Sequence, residues 1–445
     1  MTYQIRQSPL RLKSFFFYPL AIICTLYLLL GLTTSTSAAD SNLVPVATFE
    51  GATLYTTTAA PGEGALHVIR LSGSFREMGR QYGALLGSLM QEFYEVAVNG
   101  YLIAQKGLTY DSIRQTAQYY YDKQPQYARD FISAMAETSG LSRERQKIMA
   151  SLMYQLFVAI DSSSSACSTL MAWSGYTGGG PMVIGRNWDT LPGPFPDYAK
   201  YLTVAVYNPA GYANSLAEVN YAGFVSCQTG MNKAGIFIDY QSGSLSDPLI
   251  FERTPGPYHL FSYLLNYTSL DQIDQAINAT LPEIAAIINV AEATRAYVYE
   301  WATYARKRRI SDPERPGPGP DGLLVATNHF VDPSWTGLPI ILNGFLGMYT
   351  KERRANLLAR GEQFKGALDP VKMRYIFDRT TAADPDPGPC FPDHGNTVIQ
   401  VVAVPANLEL WVKARGYSDW QLIPLGSLFS RNPPNNPAIN LFLVD

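Results

Sequence analysis

Residues 162–190 read SSSSACSTLMAWSGYTGGGPMVIGRNWDT. A run of small hydroxyl residues leads to an isolated Cys167. Two short apolar runs, STLMAWSG and PMVIGRNWD, then flank a glycine-rich turn at Gly178 to Gly180 and end on Arg186, Asn187, Trp188 and Asp189. Short apolar runs bounded by Gly and Pro predict strands, here a hairpin. The stretch also marks a change of period. Upstream, from Ser72 to about Ile160, apolar residues recur three and four apart in FREMGRQYGALLGSLMQEFYEVAVNGYLI and RERQKIMASLMYQLFVAI, the spacing of amphipathic helices, with Ser142 placed to cap the second. Downstream, YLTVAVYN, GFVSCQTG, GIFIDYQS, RAYVYEWATY, GLLVATNHF, TVIQVVAV and LELWVKARG read as strands. Helices are expected at YHLFSYLLNY, at LDQIDQAINAT behind a Ser269/Gln272 capping pattern, and at KERRANLLARGEQF. The Pro/Gly-rich pieces 311–322, 383–390 and 431–438 read as loops. The resulting class is α+β: a mainly helical segment over 40–166, then a sheet domain over 167–445.

Composition limits the function. A 445-residue chain with 47% hydrophobic residues can bury a full core. Its net charge of −3, with Lys and Arg scattered, gives no electrostatic footprint for nucleic acid. Arg6, Arg11 and Lys13 precede an apolar run of 18 residues, Phe15 to Leu32, which ends near Ser37-Ala38-Ala39. Residues 1–39 therefore read as an export signal; the run is also just long enough to stay uncleaved as a membrane anchor, the one route to a membrane. Loss of Cys24 with the leader leaves Cys167, Cys227 and Cys390, an odd number, which invites the reading of a free thiol. Cys227 and Cys390 are open either as a pair or as separate buried thiols. No Cys/His spacing matches a zinc site and no phosphate-cradling glycine loop precedes a helix, so no metal or cofactor is expected.

A cysteine nucleophile needs a base and a set of oxyanion donors. Of the four histidines, only His329, behind an apolar strand, is a plausible partner. The alternative base is the cysteine's own nitrogen. If the chain is cut between Ala166 and Cys167, the freed α-amine, which ordinarily titrates near ~8, can take the thiol proton.

Cys167-Ser-Thr followed by GGGPMVIGRNWD resembles the opening of N-terminal nucleophile hydrolases of the penicillin acyltransferase type. Bile salt hydrolases and acid-ceramidase-like amidases are more distant relatives of that group. FREMGRQYGALL, TGMNKAGIFIDYQS, LLVATNHF and TKERRANLL resemble further blocks of it in the same order, as does the tail from Cys390 through VIQVVAVPANLELWVKARG. The resemblance implies a four-layer αββα sandwich and autocatalytic cleavage before Cys167, with the prosegment as a partner of the catalytic chain. It further implies Cys167 as nucleophile and its amine as base, Arg186 beside the thiolate, Asp189 orienting the amine, and Asn328 donating to the oxyanion. A second oxyanion donor falls near Tyr240, Gln241 and Ser242, where Ser242 stands in the place of the Asn of bile salt hydrolases. One arginine near a helix start is expected, with Arg353 and Arg354 equally placed.

The expected activity is that of an exported, self-cleaving amidohydrolase or acyltransferase acting on a small N-acyl amide. A Cys/His thiol peptidase using His329, and a non-catalytic exported binding protein, remain the rivals.

Overall fold

The computed structural model describes residues 42–159, 165–190, 193–243, 249–313, 322–336, 349–379 and 397–430. The expected leader, Cys24, Cys390, His394, the loops at 383–390 and 431–438 and most of 311–322 lie outside these residues. Among the described residues no helix is long and apolar enough to cross a membrane.

Two sheets organise the chain. The larger has ten strands in the order β1 (Leu43–Phe49), β2 (Ala52–Thr57), β3 (His67–Gly73), β6 (Leu202–Pro209), β7 (Leu216–Tyr221), β8 (Thr229–Asn232), β9 (Phe237–Ser242), β10 (Ala286–Ala291), β11 (Ala296–Trp301) and β12 (Arg306–Arg309). Only β3 and β6 pair parallel. The smaller has six strands in the order β13 (Leu323–Ala326), β4 (Ser165–Ala172), β5 (Val183–Thr190), β14 (Thr397–Val404), β15 (Glu409–Ala414) and β16 (Gln421–Pro424). Its expected hairpin is the β4/β5 pair, in which Cys167 lies opposite Trp188 and Thr169 opposite Arg186.

Successive strand residues point to opposite faces, so this register sorts the side chains. Cys167 and Met171 of β4 and Ile184 and Trp188 of β5 join the core between the sheets. Leu170, Ala172 and Val183 join a second core under helices α7 (Thr350–Gln363) and α8 (Pro370–Asp378). Thr169 Oγ1 donates to Asp239 Oδ2 of β9 at 2.9 Å, linking the two sheets face to face. On the outer face of the ten-stranded sheet lie α1 (Phe75–Tyr94), α3 (Gln126–Met135), α4 (Arg143–Ala159) and α5 (Gly256–Asn266). The layers run helix, sheet, sheet, helix, as the expected αββα sandwich requires.

The helical block of the sequence is helical, and its details follow from its residues. Ser74 and Glu77 form a capping box that starts α1, which continues as an 11-residue π-helix, Glu95–Gln105. Ser142 caps α4 by accepting from the Arg145 N–H. Strands β1 to β3 precede this block and were not anticipated. GFVSCQTG is mostly not a strand. The Val225 N–H donates to Ala150 O and Asn220 Nδ2 donates to Ser226 O at 2.5 Å, so its apolar residues anchor a turn against α4 while the ladder runs through β7 and β8.

Gly79, Gly83 and Gly87 form a stripe on α1 that lets it close on α3 and the turn after it. A Cβ at these positions would meet the carbonyl oxygens of Phe131 at 2.3 Å, Met135 at 2.4 Å and Ser139 at 2.8 Å. Backbone cannot step aside as a side chain can. Gly83→Ala should therefore lose about 2 kcal/mol despite alanine's better helix propensity. Urea denaturation checks this; an unchanged or higher midpoint would contradict the packing.

Candidate active site

Cys167 sits near the start of β4, nearly fully buried, and each of its groups has a separate partner. Its N–H donates to Asn328 Oδ1 at 2.8 Å. Its carbonyl accepts from Arg353 Nη1 at 2.6 Å. Its Sγ lies 3.9 Å from Arg186 Nη2. Three elements converge on one residue: β5 supplies Arg186, the turn after β13 supplies Asn328, and the first turn of α7 supplies Arg353.

Strand alternation explains who meets what. Arg186 faces the inter-sheet side with the thiol, donates to Tyr240 O at 3.1 Å and places Nε 3.9 Å from Asp239 Oδ1. Asp239 also accepts from Thr169 and, at 2.8 Å, from Asn289 Nδ2. Asp189 lies opposite Ala166 and so faces the helix side, away from the thiol. Its Oδ1 accepts from Thr397 Oγ1 at 2.5 Å and its Oδ2 is 4.0 Å from Arg353 Nη1. Burial pushes the Asp189 carboxyl up, against the pull of Arg353. Asp189 therefore contacts neither the thiol nor the Cys167 nitrogen in the intact chain, and its link to residue 167 runs through Arg353.

Arg353 also donates to Ser168 Oγ at 2.6 Å and to Asn328 Oδ1 at 2.8 Å. Arg354, one residue on, is rotated by roughly 100° around the helix and bonds Asp312 instead. Of the two arginines left open by sequence, Arg353 is the one that bonds residue 167, while Arg354 turns to Asp312.

Both ends of the Asn328 side-chain amide are engaged. Its oxygen holds the Cys167 N–H, and its Nδ2 donates to Ser242 O at 2.8 Å. The region Tyr240 to Ser242 likewise contributes acceptors: the Tyr240 and Ser242 carbonyls take Arg186 and Asn328, the Tyr240 N–H is given to Gln228 O, and Gln241 Nε2 donates to Thr169 Oγ1 at 2.7 Å. Ala166, the residue before the expected cut, is buried and paired with Asp189 inside β4. Sequence reading missed Thr169, Asp239 and Thr397. The signal for Asp239 was a lone acid among apolar residues in GIFIDYQS, a charge that a buried strand carries only with partners.

The electrostatics hold the thiol protonated. Burial pushes it up to about 12, against Arg186, which pulls it down, and Asp189 and Asp239, which push it further up. Among the described residues, the groups hydrogen-bonded to Cys167 include no base: two are guanidiniums and one is an amide. His329 Nδ1 instead meets Thr350 Oγ1 at 2.9 Å and Thr327 Oγ1 at 3.2 Å. Burial and the nearby Arg353, Arg309 and Lys351 hold its imidazole down at about 3. Among the described residues no group of three or more His, Cys, Asp or Glu is placed to hold a metal ion.

No family model matches the chain. No curated protein matches it either. Solved structures similar to it include a Caenorhabditis elegans N-acylethanolamine-hydrolyzing acid amidase ortholog (15% identity, 58% of this chain and 100% of that chain, TM-score 0.39). A conjugated bile acid hydrolase from Clostridium perfringens is similar at 11% identity over 61% of this chain and 100% of that one, TM-score 0.37. A penicillin V acylase from Agrobacterium tumefaciens is similar at 11% identity over 58% of this chain and 86% of that one, TM-score 0.36. At this distance the chemistry of the site has to be argued from its own geometry.

His329 supplies a test of that geometry. Its folded value of about 3 lies below the ordinary 6.5, so its contribution to stability is present above pH 6.5 and is lost as pH falls toward 3. His329→Gln should remove a loss of roughly 3 kcal/mol between pH 7 and pH 4, measured by urea denaturation at both. Any hydrolytic activity of the chain should stay within a few-fold of wild type; its abolition would support a Cys/His dyad.

Proposed function

We propose that the chain is an exported, self-cleaving cysteine amidohydrolase whose nucleophile and base are the thiol and the α-amine of Cys167. The observation that supports this most strongly is the clamp on residue 167: its nitrogen held by Asn328, its carbonyl by Arg353, and its thiol beside Arg186, with no base in contact among the described residues. A buried thiol without a base needs one to be made. Cutting the Ala166–Cys167 bond makes it.

In the maturation step Sγ attacks the Ala166 carbonyl carbon, the thiol proton passes to the Cys167 nitrogen, and the C–N bond breaks. An Ala166 thioester and a free α-amine result, and water releases the Ala166 carboxylate and the thiol. In catalysis the amine takes the thiol proton, Sγ attacks the acyl carbonyl of an N-acyl amide, and the ammonium protonates the leaving nitrogen. The second hydrogen of Asn328 Nδ2, beyond the one given to Ser242 O, meets the oxyanion. Arg186 stabilises the thiolate, and Asp189 acts through Arg353. Water then hydrolyses the acyl-enzyme, or a second amine takes the acyl group. No cofactor enters either step.

Intact mass of the wild type beside Cys167→Ala tests the reading. Two fragments meeting at Ala166/Cys167 for the wild type and one chain for the variant are expected, together with release of amine from fatty-acyl amides, penicillins or bile-salt conjugates by the cut protein only. One chain for both proteins, or full activity with residue 167 still amide-bonded, would overturn it.

A further inference from the structure

Four of the buried charged residues outside the site form one connected group that the proposed reaction does not use. Glu300 at the end of β11, Arg309 at the end of β12, Asp312 after it and Arg354 on α7 are each at most 5% exposed. Arg309 Nε lies 2.9 Å from Glu300 Oε1 and its Nη1 3.7 Å from Asp312 Oδ2, and Arg354 bonds Asp312 Oδ1. The quartet is neutral overall. Its desolvation is costly, and apolar residues of similar volume would serve stability at least as well. Its contacts suggest another purpose.

Both flanks of the Asn328 turn are tied to it. Before the turn, the Val325 N–H donates to Asp312 Oδ2 at 3.3 Å and Arg309 Nη2 donates to Val325 O at 3.0 Å. After it, the Val331 N–H donates to Glu300 Oε1 at 2.7 Å, the Asp332 N–H to Glu300 Oε2 at 3.1 Å, and Trp335 Nε1 to Glu300 Oε2 at 2.6 Å. Arg354 is covalently next to Arg353. The two side chains that clamp residue 167, one on its N–H and one on its carbonyl, are thus each anchored to the same ion network, which reaches from the edge of the ten-stranded sheet across to α7.

We infer that Arg354, Asp312, Arg309 and Glu300 form a positioning network that sets Asn328 and Arg353 against Cys167, with Arg354 as the member that ties α7 to the Asn328 turn. Arg354 touches no reacting atom and acts through its neighbour. Its guanidinium is held down at about 9, chiefly by burial, and stays charged at neutral pH. Displacement of a clamp by about 1 Å suffices for a rate loss near 100-fold.

The inference rests on the proposed role of Cys167, so its test has an arm that needs no chemistry. In the Cys167→Ala background of the full chain, hydrogen–deuterium exchange of the amide at position 167 reports the Asn328 clamp directly. Adding Arg354→Met with Asp312→Asn keeps the site neutral and leaves the Arg309–Glu300 pair intact. Exchange at position 167 should accelerate at least tenfold while peptides from β10 keep their rates. In the Cys167 chain the same pair should slow the cut and amide turnover 10- to 100-fold at temperatures where both proteins are fully folded, and Arg354→Lys should recover part of the rate. Unchanged exchange at 167, equal acceleration in β10, or a faster exchange with unchanged cutting would each overturn the positioning role. A wild type that never cuts would instead sink the proposed function and leave the exchange comparison to decide on the network.

Discussion

The site depends on the hydrogen bond from the Cys167 N–H to Asn328 Oδ1. It joins β4 to the turn beyond β13, continuing the ladder in which Ala326 faces Thr169, and so ties the Cys167 backbone to that turn. Alternation does the rest. The thiol is sent to the inter-sheet side, where Arg186 waits, while the residues on either side of it are sent to the helix side, where Arg353 and Asp189 lie. One residue thereby meets a cation through its sulfur, an amide through its nitrogen and a second cation through its carbonyl, without any contact having to be made by a mobile loop.

The charges buried with it follow the same logic. Arg186 is balanced by Asp239 across the sheets and Arg353 of α7 by Asp189 of β5, at 3.9 Å and 4.0 Å. These separations are long for ion pairs, and each arginine gives its shorter bonds to carbonyls and side-chain oxygens around Cys167. The cations are thus neutralised overall but directed locally. A tighter Arg–Asp fork would stabilise the pair at the expense of the cysteine contacts.

How much of this was legible depended on what each residue type must do. β4, β5, β6, β9, β11, β13, β14 and β15 were readable because short apolar runs bounded by Gly, Asn or Pro have few other uses. β10, AIINVA, is equally apolar but lacks punctuation, and six such residues do not distinguish a strand from a helix turn. β1 to β3 pair with one another and enter the larger sheet only through the parallel β3/β6 contact, a long-range pairing that no local period announces. Helix α8 was missed although Asp369 caps it and Pro370 opens it, a start signal that lay in the sequence. Cys167, Arg186, Asn328 and Arg353 could be gathered from sequence blocks, but choosing between Arg353 and Arg354 needed the helix's rotational setting. The direction of the Asn328 amide needed Ser242 O, 86 residues away.

In the proposed reaction, the same burial that keeps the thiol protonated would make a freed amine its suitable base. An apolar site disfavours a lone thiolate, which is why burial pushes the Cys167 thiol up, and would equally disfavour a lone ammonium. It disfavours far less the two formed together within one residue, because each then offsets the other's lost hydration at short range. Thiol and amine of residue 167 would titrate as a coupled pair, their proton passing between sulfur and nitrogen and never reaching solvent. Asn328 Oδ1, already 2.8 Å from that nitrogen, accepts from it whether it is amide, amine or ammonium, so the clamp need not move as the proton does. In the proposed reaction, cleavage would therefore change the protonation chemistry of the site while leaving its geometry in place.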